Sequence, residues 1–286
     1  MPSRSTALTM DRRSFPDLFA RALLTAVRPR RRLETTRLWE VDAWRGIAVC
    51  MMLVYHFVWD LEDIGGYSID ASAGFWSYWQ MATAGLFTLL VGVSLALSYQ
   101  RGSTTLPGVS AAARTVARGA AIFVWGMVVS LVTYLVFGPE RFVRFGILHL
   151  IGVAIILAYP LVRHRWLSLA LGVATIGLGA FLDTLYLNIR WLLWLLPTAG
   201  TGVDHQPLLP MLGPVLIGVF IGRSLFPEGN RRFRVPDWAG RRPVKVLRYL
   251  GQSSLLIYLL HQPVLVGLFL LLGVGDWPLG AAADTS

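Results

Sequence analysis

Long apolar stretches separated by short polar segments run through most of the chain. Seven of these stretches approach the roughly 20 apolar residues that a helix needs to cross a bilayer core. They predict membrane-spanning helices at 44–62, 80–99, 116–137, 145–162, 166–183, 209–226 and 249–272. The pattern therefore indicates an all-α protein, a polytopic integral membrane helical bundle with about seven transmembrane helices.

One segment between the fifth and sixth predicted spans does not fit this pattern. Its apolar part, residues 185–196, is short and contains Arg190. Counting it as a span would place the arginine-rich segment that follows on the other side of the membrane. We therefore interpret it as a re-entrant or interfacial helix held by Trp191 and Trp194, with a bundle of eight spans as the alternative.

Composition and charge placement agree with a membrane protein. Hydrophobic residues make up 55% of the chain and charged residues 15%, which is unlike an ordinary soluble domain. The net charge is +10, but every Lys and Arg except Arg141, Arg144 and Arg190 falls in alternate segments between the spans. By the positive-inside rule the N-terminus is cytoplasmic and the protein lies in the cytoplasmic membrane. The basicity thus reflects topology, and no nucleic-acid partner is predicted.

The segments outside the spans divide the chain into three parts. Residues 1–40 form a basic cytoplasmic segment, flexible or interfacial, in which a short amphipathic helix could begin near Phe15. Residues 41–273 form the transmembrane domain, and residues 274–286 form a short extracytoplasmic tail. Cys50 is the only cysteine, which leaves no disulfide within one chain and no cysteine metal site.

The first span carries the ionisable side chains of Arg45, His56 and Asp60. A helix advances about 100° per residue, so Arg45 and His56 project within about 20° of each other and Asp60 stays on the same stripe. Ionisable groups at mid-span cost about 2.5–3.5 kcal/mol on insertion scales, and they usually line a bundle interior or a water-filled cavity. The structural alternative is an arginine anchor at the headgroups and a buried His–Asp pair.

More histidines and carboxylates are predicted at similar outer depths on other segments. They are His149, Asp183, Asp204, His205 and His261, with Tyr258 and Ser254 near His261. Together they would line a polar cavity open to the outside, where a histidine can exchange a proton near neutral pH. Structural and functional roles both stay open for His149 and His261, and a structural role is favoured for His205. No metal-binding motif such as HExxH is present, and no metal is predicted.

Several of these segments are similar to known membrane acyltransferases. VDAWRGIAVCMMLVYHF resembles their opening helix, in which an arginine precedes a histidine by eleven positions. LGQSSLLIYLLHQPVL resembles the closing helix of the acyltransferase-3 group. RFGILHLIGVAIILAYP and LPMLGPVLIGVFIGR resemble middle segments of bacterial proteins related to heparan-α-glucosaminide N-acetyltransferase. The resemblance covers roughly residues 37–272.

The resemblance implies transfer of an acyl group, commonly acetyl from cytosolic acyl-CoA, to a hydroxyl or amine on the extracytoplasmic side. It implies that His56 is catalytic, that Arg45 belongs to the same motif, and that Asp60 assists. A carboxylate one turn from a histidine can fix the tautomer of the ring and stabilise its protonated form, which is the role that we predict for Asp60. The acceptor is expected to be an envelope glycan or a lipid-linked sugar, and a homo-oligomer is compatible with the sequence.

Beside that resemblance, we expect His261 to take part in catalysis. Cationic side chains at the inner face would bind the CoA phosphates. These are Arg45, Arg114, Arg118 and Arg248. We expect Arg248 to lie in a loop that starts at Arg241. The acceptor side would hold His149, Tyr258 and Asp183.

Two alternatives belong to other classes of membrane protein. A proton-coupled transporter would use the buried His56 and Asp60 as a proton relay. A non-catalytic scaffold, or a haem protein with two histidine ligands, would use His56, His149 and His261 structurally or as ligands.

Overall fold

The computed structural model describes residues 15–27, 38–102, 111–185 and 204–274, with isolated positions between 187 and 196. The regular secondary structure of these residues is helical. The α-helices are α1 (Phe15–Ala26), α2 (Trp39–Asp63), α3 (Gly74–Gly102), α4 (Ala111–Arg141), α5 (Ile147–Ala158), α6 (Arg165–Asp183), α7 (Leu208–Leu225), α8 (Arg242–Gln252) and α9 (Ser254–Leu271).

Six helices of the described chain are long and apolar enough to cross a bilayer, namely α2, α3, α4, α6, α7 and α9. A shorter apolar helix, Ile147–Arg163, consists of α5 and the 3-10 turn that continues it. These seven helices match the seven predicted spans in order, so the predicted class of a polytopic helical bundle is confirmed. The predicted re-entrant segment, with Arg190 and Trp191, falls largely outside the described residues. The choice between seven and eight spans stays a prediction.

The predicted seventh span, 249–272, is divided between two helices. α8 and α9 are separated by Ser253, which has φ −98° and ψ 10°. α8 begins at Arg242, so the stretch from Arg241 to Arg248 is helical after its first residue, and our expectation of a loop there was wrong. A proline in the first turn and apolar residues every three to four positions favour a helix in this stretch.

The amphipathic helix expected near Phe15 is α1. It packs against α4, where the indole Nε1 of Trp125 donates a hydrogen bond of 3.3 Å to the Leu23 carbonyl. Residues 1–14 and 28–37 of the basic segment lie outside the described residues.

The chain divides into two compact units. The first comprises Met1–Ala26 and Gly92–Phe233, and the second comprises Val27–Val91 and Arg234–Ser286. In the first unit, α4 packs on α5 and α6 packs on α7. In the second unit, α2 packs on α8 and α9.

Two glycines bring α2 and α8 of the second unit into backbone contact. A Cβ atom at Gly46 would lie 2.0 Å from the Leu247 carbonyl oxygen, and one at Gly251 would lie 1.9 Å from the Asp42 carbonyl oxygen. Small residues allow membrane helices this close approach. We call this contact the glycine crossing. It sets the position of α8 at the beginning of α2, and α9 follows directly from α8.

Candidate active site

His56 lies in α2, and its ring is oriented by its own helix. The Nδ1 atom is 3.0 Å from the carbonyl oxygen of Met52, one turn earlier. A carbonyl can only accept, so Nδ1 carries the hydrogen. In the neutral ring Nε2 then presents a lone pair, which is the form that a general base requires.

His261 in α9 has the same arrangement. Its Nδ1 atom is 2.6 Å from the Tyr258 carbonyl oxygen, and only 7% of the residue is exposed. Nε2 is again the atom with the lone pair in the neutral ring. That atom is buried and has no hydrogen-bond partner among the described residues.

The two imidazoles meet where α9 packs on α2. Their ring centroids are 4.5 Å apart and their planes are inclined at 83°, an edge-to-face contact. Two protonated imidazoles at this distance would repel each other, because like charges would lie in contact. Rings in edge contact also leave no gap for the plane of a haem between them. The arrangement therefore suits proton transfer better than haem ligation by this pair.

Asp60 is joined to α9 through an amide that the sequence analysis did not select. Asp60 is only 1% exposed, and its Oδ1 atom accepts a hydrogen bond of 3.0 Å from Nε2 of Gln262. Its Oδ2 atom has no partner in the described part of the chain. An amide next to His261 within an apolar helix was the available signal for Gln262.

The predicted role of Asp60, to orient His56, stays a prediction. The His56 ring is oriented by the hydrogen bond that its Nδ1 atom donates to the Met52 carbonyl. A nearby carboxylate stabilises a protonated imidazole. Support of a protonated His56 ring by Asp60 stays a prediction as well.

The beginning of α2 holds a second polar group, next to the glycine crossing. Asp42 is buried, and its Oδ1 atom lies 3.4 Å from Nη1 of Arg45. Its Oδ2 atom accepts a hydrogen bond of 3.0 Å from Nε2 of Gln252 in α8. Arg248, one turn before Gln252, is half-buried, and its Nε atom has no hydrogen-bond partner among the described residues. Two of the four arginines predicted to meet the donor phosphates, Arg45 and Arg248, therefore flank the same helix crossing.

His149, by contrast, uses both ring nitrogens within the first unit. Nδ1 accepts a hydrogen bond of 3.2 Å from the Gly146 N–H. Nε2 lies 3.5 Å from the hydroxyl of Ser130, which itself donates to the Val143 carbonyl. His149 is 2% exposed, and a Cβ at Gly126 would lie 3.0 Å from its ring. This geometry favours the structural alternative for His149.

The first unit also contains the other predicted site residues. Asp183 is the last residue of α6, and Arg114 and Arg118 lie in the first part of α4. Burial lowers the pKa of His205, in the segment before α7, below its usual value. A shared cavity of these residues with His56 stays a prediction. Within the described ranges, no group of three His, Cys, Asp or Glu side chains is arranged to hold a metal ion.

Comparison with protein families gave a match. The model described as heparan-alpha-glucosaminide N-acetyltransferase, catalytic, matches residues 37–263. Comparisons with curated proteins and with solved structures gave no match. The matched range covers well over half of the 286 residues. It begins just before α2 and ends two residues after His261, so it includes the histidine pair and Asp60.

Proposed function

Since the chain belongs to the family of heparan-α-glucosaminide N-acetyltransferase catalytic domains, we propose that it moves an acyl group, commonly acetyl, from cytosolic acyl-CoA to an extracytoplasmic acceptor. The observation that carries this proposal is the contact between His56 and His261, with centroids 4.5 Å apart. Each ring has its Nδ1 hydrogen engaged by a helix carbonyl and its Nε2 lone pair available for a proton.

In the proposed reaction, His56 acts as general base. Its Nε2 atom takes the proton of the acceptor hydroxyl or amine while the acceptor oxygen or nitrogen bonds to the thioester carbon. The carbon–sulfur bond then breaks, and the proton passes to the departing CoA thiolate, by way of His261. The Asp60 carboxylate stabilises the imidazolium that exists between these two steps.

The donor phosphates are proposed to lie at the glycine crossing. Arg45 precedes His56 by eleven residues, or about 16 Å along α2 at 1.5 Å per residue. Arg45 is held by Asp42, and Arg248 extends the same basic region from α8. Arginine suits phosphate oxygens because its planar donors bind them in pairs. The donor-binding role of Arg114 and Arg118 in α4 stays a prediction from the sequence.

Tyr258 and Asp183 are candidates for the acceptor side of the site. Tyr258 lies beside His261, with ring centroids 5.5 Å apart, and it is the acceptor-side candidate that shares a unit with the histidine pair. Asp183 stays a candidate at the end of α6. The proposed acceptor is an envelope glycan or a lipid-linked sugar, reached from the outer face of the cytoplasmic membrane.

A vesicle assay tests this function. Labelled acetyl-CoA is added to inside-out membrane vesicles containing the protein, and label is followed into the envelope fractions. We expect transfer in these vesicles, none from acetyl-CoA added outside right-side-out vesicles, and none with His56→Ala. Equal transfer from both sides would overturn the two-sided mechanism, and no transfer that depends on the protein would overturn the proposed function.

A further inference from the structure

Asp42 connects Arg45 at the beginning of α2 with Gln252 of α8. The Oδ1 atom of Asp42 lies 3.4 Å from Nη1 of Arg45, three residues later in the same helix. Its Oδ2 atom accepts a hydrogen bond of 3.0 Å from Nε2 of Gln252. The Asp42 side chain is 6% exposed, whereas the Arg45 side chain is 20% exposed. The carboxylate is therefore buried, while the arginine that it contacts is partly accessible.

The glycine crossing brings Gln252 within reach of Asp42. Gly251 directly precedes Gln252, and a Cβ atom at Gly251 would lie 1.9 Å from the Asp42 carbonyl oxygen. Because no side chain separates the two backbones at this point, the Gln252 amide reaches the carboxylate directly. The position of Asp42 is thus fixed by a residue that lies 210 positions away in the sequence.

A carboxylate that is fixed in this way restricts the side chain of Arg45. An arginine side chain has many rotamers, and a ligand that binds through it must overcome the entropy of those rotamers. When a carboxylate already holds the arginine, part of that entropy is lost before the ligand arrives, and binding is tighter. A guanidinium has several N–H donors, so it can contact a carboxylate and a phosphate at the same time.

We propose that Asp42 and Gln252 are positioning residues, which hold the Arg45 guanidinium in the orientation that binds a phosphate of the acyl-CoA donor. The sequence of contacts supports this role, because Gln252 fixes Asp42 and Asp42 contacts Arg45. Asp42 and Gln252 act through Arg45 and do not themselves bind the donor. This inference rests on the proposed acyltransferase function and on the location proposed above for the donor phosphates.

The charge of Asp42 and its orienting effect change donor binding in opposite directions. A carboxylate repels a nearby phosphate, so loss of the charge alone would lower the KM for acyl-CoA. Loss of the orientation would raise that KM, because the rotamers of Arg45 would have to be restricted at each binding event. A residue that only joins the two helices would change the stability of the protein and leave KM as it is. The sign of the change in KM therefore distinguishes the three roles.

Asp42→Asn tests the proposal, because asparagine has nearly the same size and keeps an oxygen that can accept from Gln252. The variant is inserted into vesicles, and kcat and KM are measured with acetyl-CoA. We expect KM to rise by roughly three- to tenfold, with little change in kcat. The matched control is Asp237→Asn, which removes an equal charge from an exposed position before α8 and keeps the oxygen that accepts from the Ala239 N–H. This control should leave both constants unchanged.

Two further variants show whether Asp42 acts through Arg45. Gln252→Met keeps the length of the side chain and removes its donor, so KM should rise by a smaller factor. In a protein that already carries Arg45→Ala, Asp42→Asn should cause no further rise, because the side chain that it orients is absent. The unfolding temperature in detergent is measured for every variant. If Asp42→Asn does not fold, the KM of Gln252→Met decides the proposal.

The possible results distinguish a failure of this inference from a failure of the proposed function. An unchanged or lower KM in folded Asp42→Asn would overturn the positioning role and leave the acyltransferase function standing. An equal rise in KM with and without Arg45 would also contradict the positioning role, because Asp42 would then affect the donor independently of Arg45. Failure of the unaltered protein to transfer acetyl from acetyl-CoA would overturn the proposed function itself.

Discussion

The imidazole rings of His56 and His261 contact each other edge to face, with centroids 4.5 Å apart. Each ring directs Nδ1 to a carbonyl of its own helix, so the two Nε2 atoms are the ones left for chemistry. Both rings are thus oriented by hydrogen bonds to backbone atoms of their own helices. The pair is therefore expected to behave as one proton-transfer unit.

Replacing His56 with alanine should lower kcat by about 10²–10⁴-fold, the usual contribution of a general base. His261→Ala should also lower kcat, because the two rings act together. Activity is measured as label transfer in vesicles with matched amounts of inserted protein. The control is His164→Ala, since the His164 side chain is exposed in the turn before α6. If His56→Ala keeps more than about half of the activity, the assignment to α2 is wrong.

Asp60→Asn should lower activity and move the rising limb of the kcat–pH profile to lower pH. The negative charge favours the protonated imidazole, so its removal lets the base work at a lower pH. Asparagine keeps an oxygen that can accept from Gln262, which limits the change to the charge. Asp63→Asn, at the exposed end of the same helix, is the control. Full activity with an unchanged profile would leave Asp60 a structural residue only.

Arg45→Ala and Arg248→Ala should mainly raise the KM for acyl-CoA, by roughly tenfold or more if each loses a charged hydrogen bond to phosphate. Their kcat should change less than that of His56→Ala, because neither residue touches the reacting atoms. Arg234→Ala removes an equal charge from an exposed position before α8 and serves as control. A fall in kcat without a change in KM would contradict the donor-binding role.

His149→Leu should destabilise the protein rather than slow the reaction. The substitution leaves the buried Gly146 N–H without its partner, a loss of about 1–3 kcal/mol, whereas the Ser130 hydroxyl keeps its hydrogen bond to the Val143 carbonyl. The unfolding temperature in detergent should therefore fall, while kcat per folded molecule stays the same. His164→Leu provides the comparison at an exposed site. A lower kcat at unchanged stability would support the acceptor-side role instead.

The seven-span topology predicts an external C-terminus. With Cys50 replaced by alanine, a cysteine introduced at Ser286 should react with an impermeant reagent in intact spheroplasts. The positions of the cations along the chain are the basis of this expectation. Labelling only after lysis would favour eight spans.

The sequence predicted those features that depend on one helix at a time. The lengths of the apolar stretches predicted the spans, because the bilayer thickness determines how long a spanning helix must be. The spacing of Arg45, His56 and Asp60 predicted their common stripe on α2, because helical periodicity alone decides it.

Contacts between helices that are distant in the sequence could not be predicted from the pattern of a single helix. The hydrogen bonds of Asp60 with Gln262 and of Asp42 with Gln252 each join residues more than 200 positions apart. Nothing in the local pattern of either helix selects its partner. The division at Ser253 was also missed, because apolar residues continue across it and one turn residue does not interrupt the pattern.

The glycine crossing limits how the second unit can move during a reaction cycle. With the Leu247 and Asp42 carbonyls directly over Gly46 and Gly251, there is no side-chain layer on which α2 and α8 could slide. A one-turn ratchet between them would drive bulkier residues into backbone atoms. α2 and α8 must therefore move together as one rigid body. Any movement that admits a substrate or releases a product has to take place outside their contact.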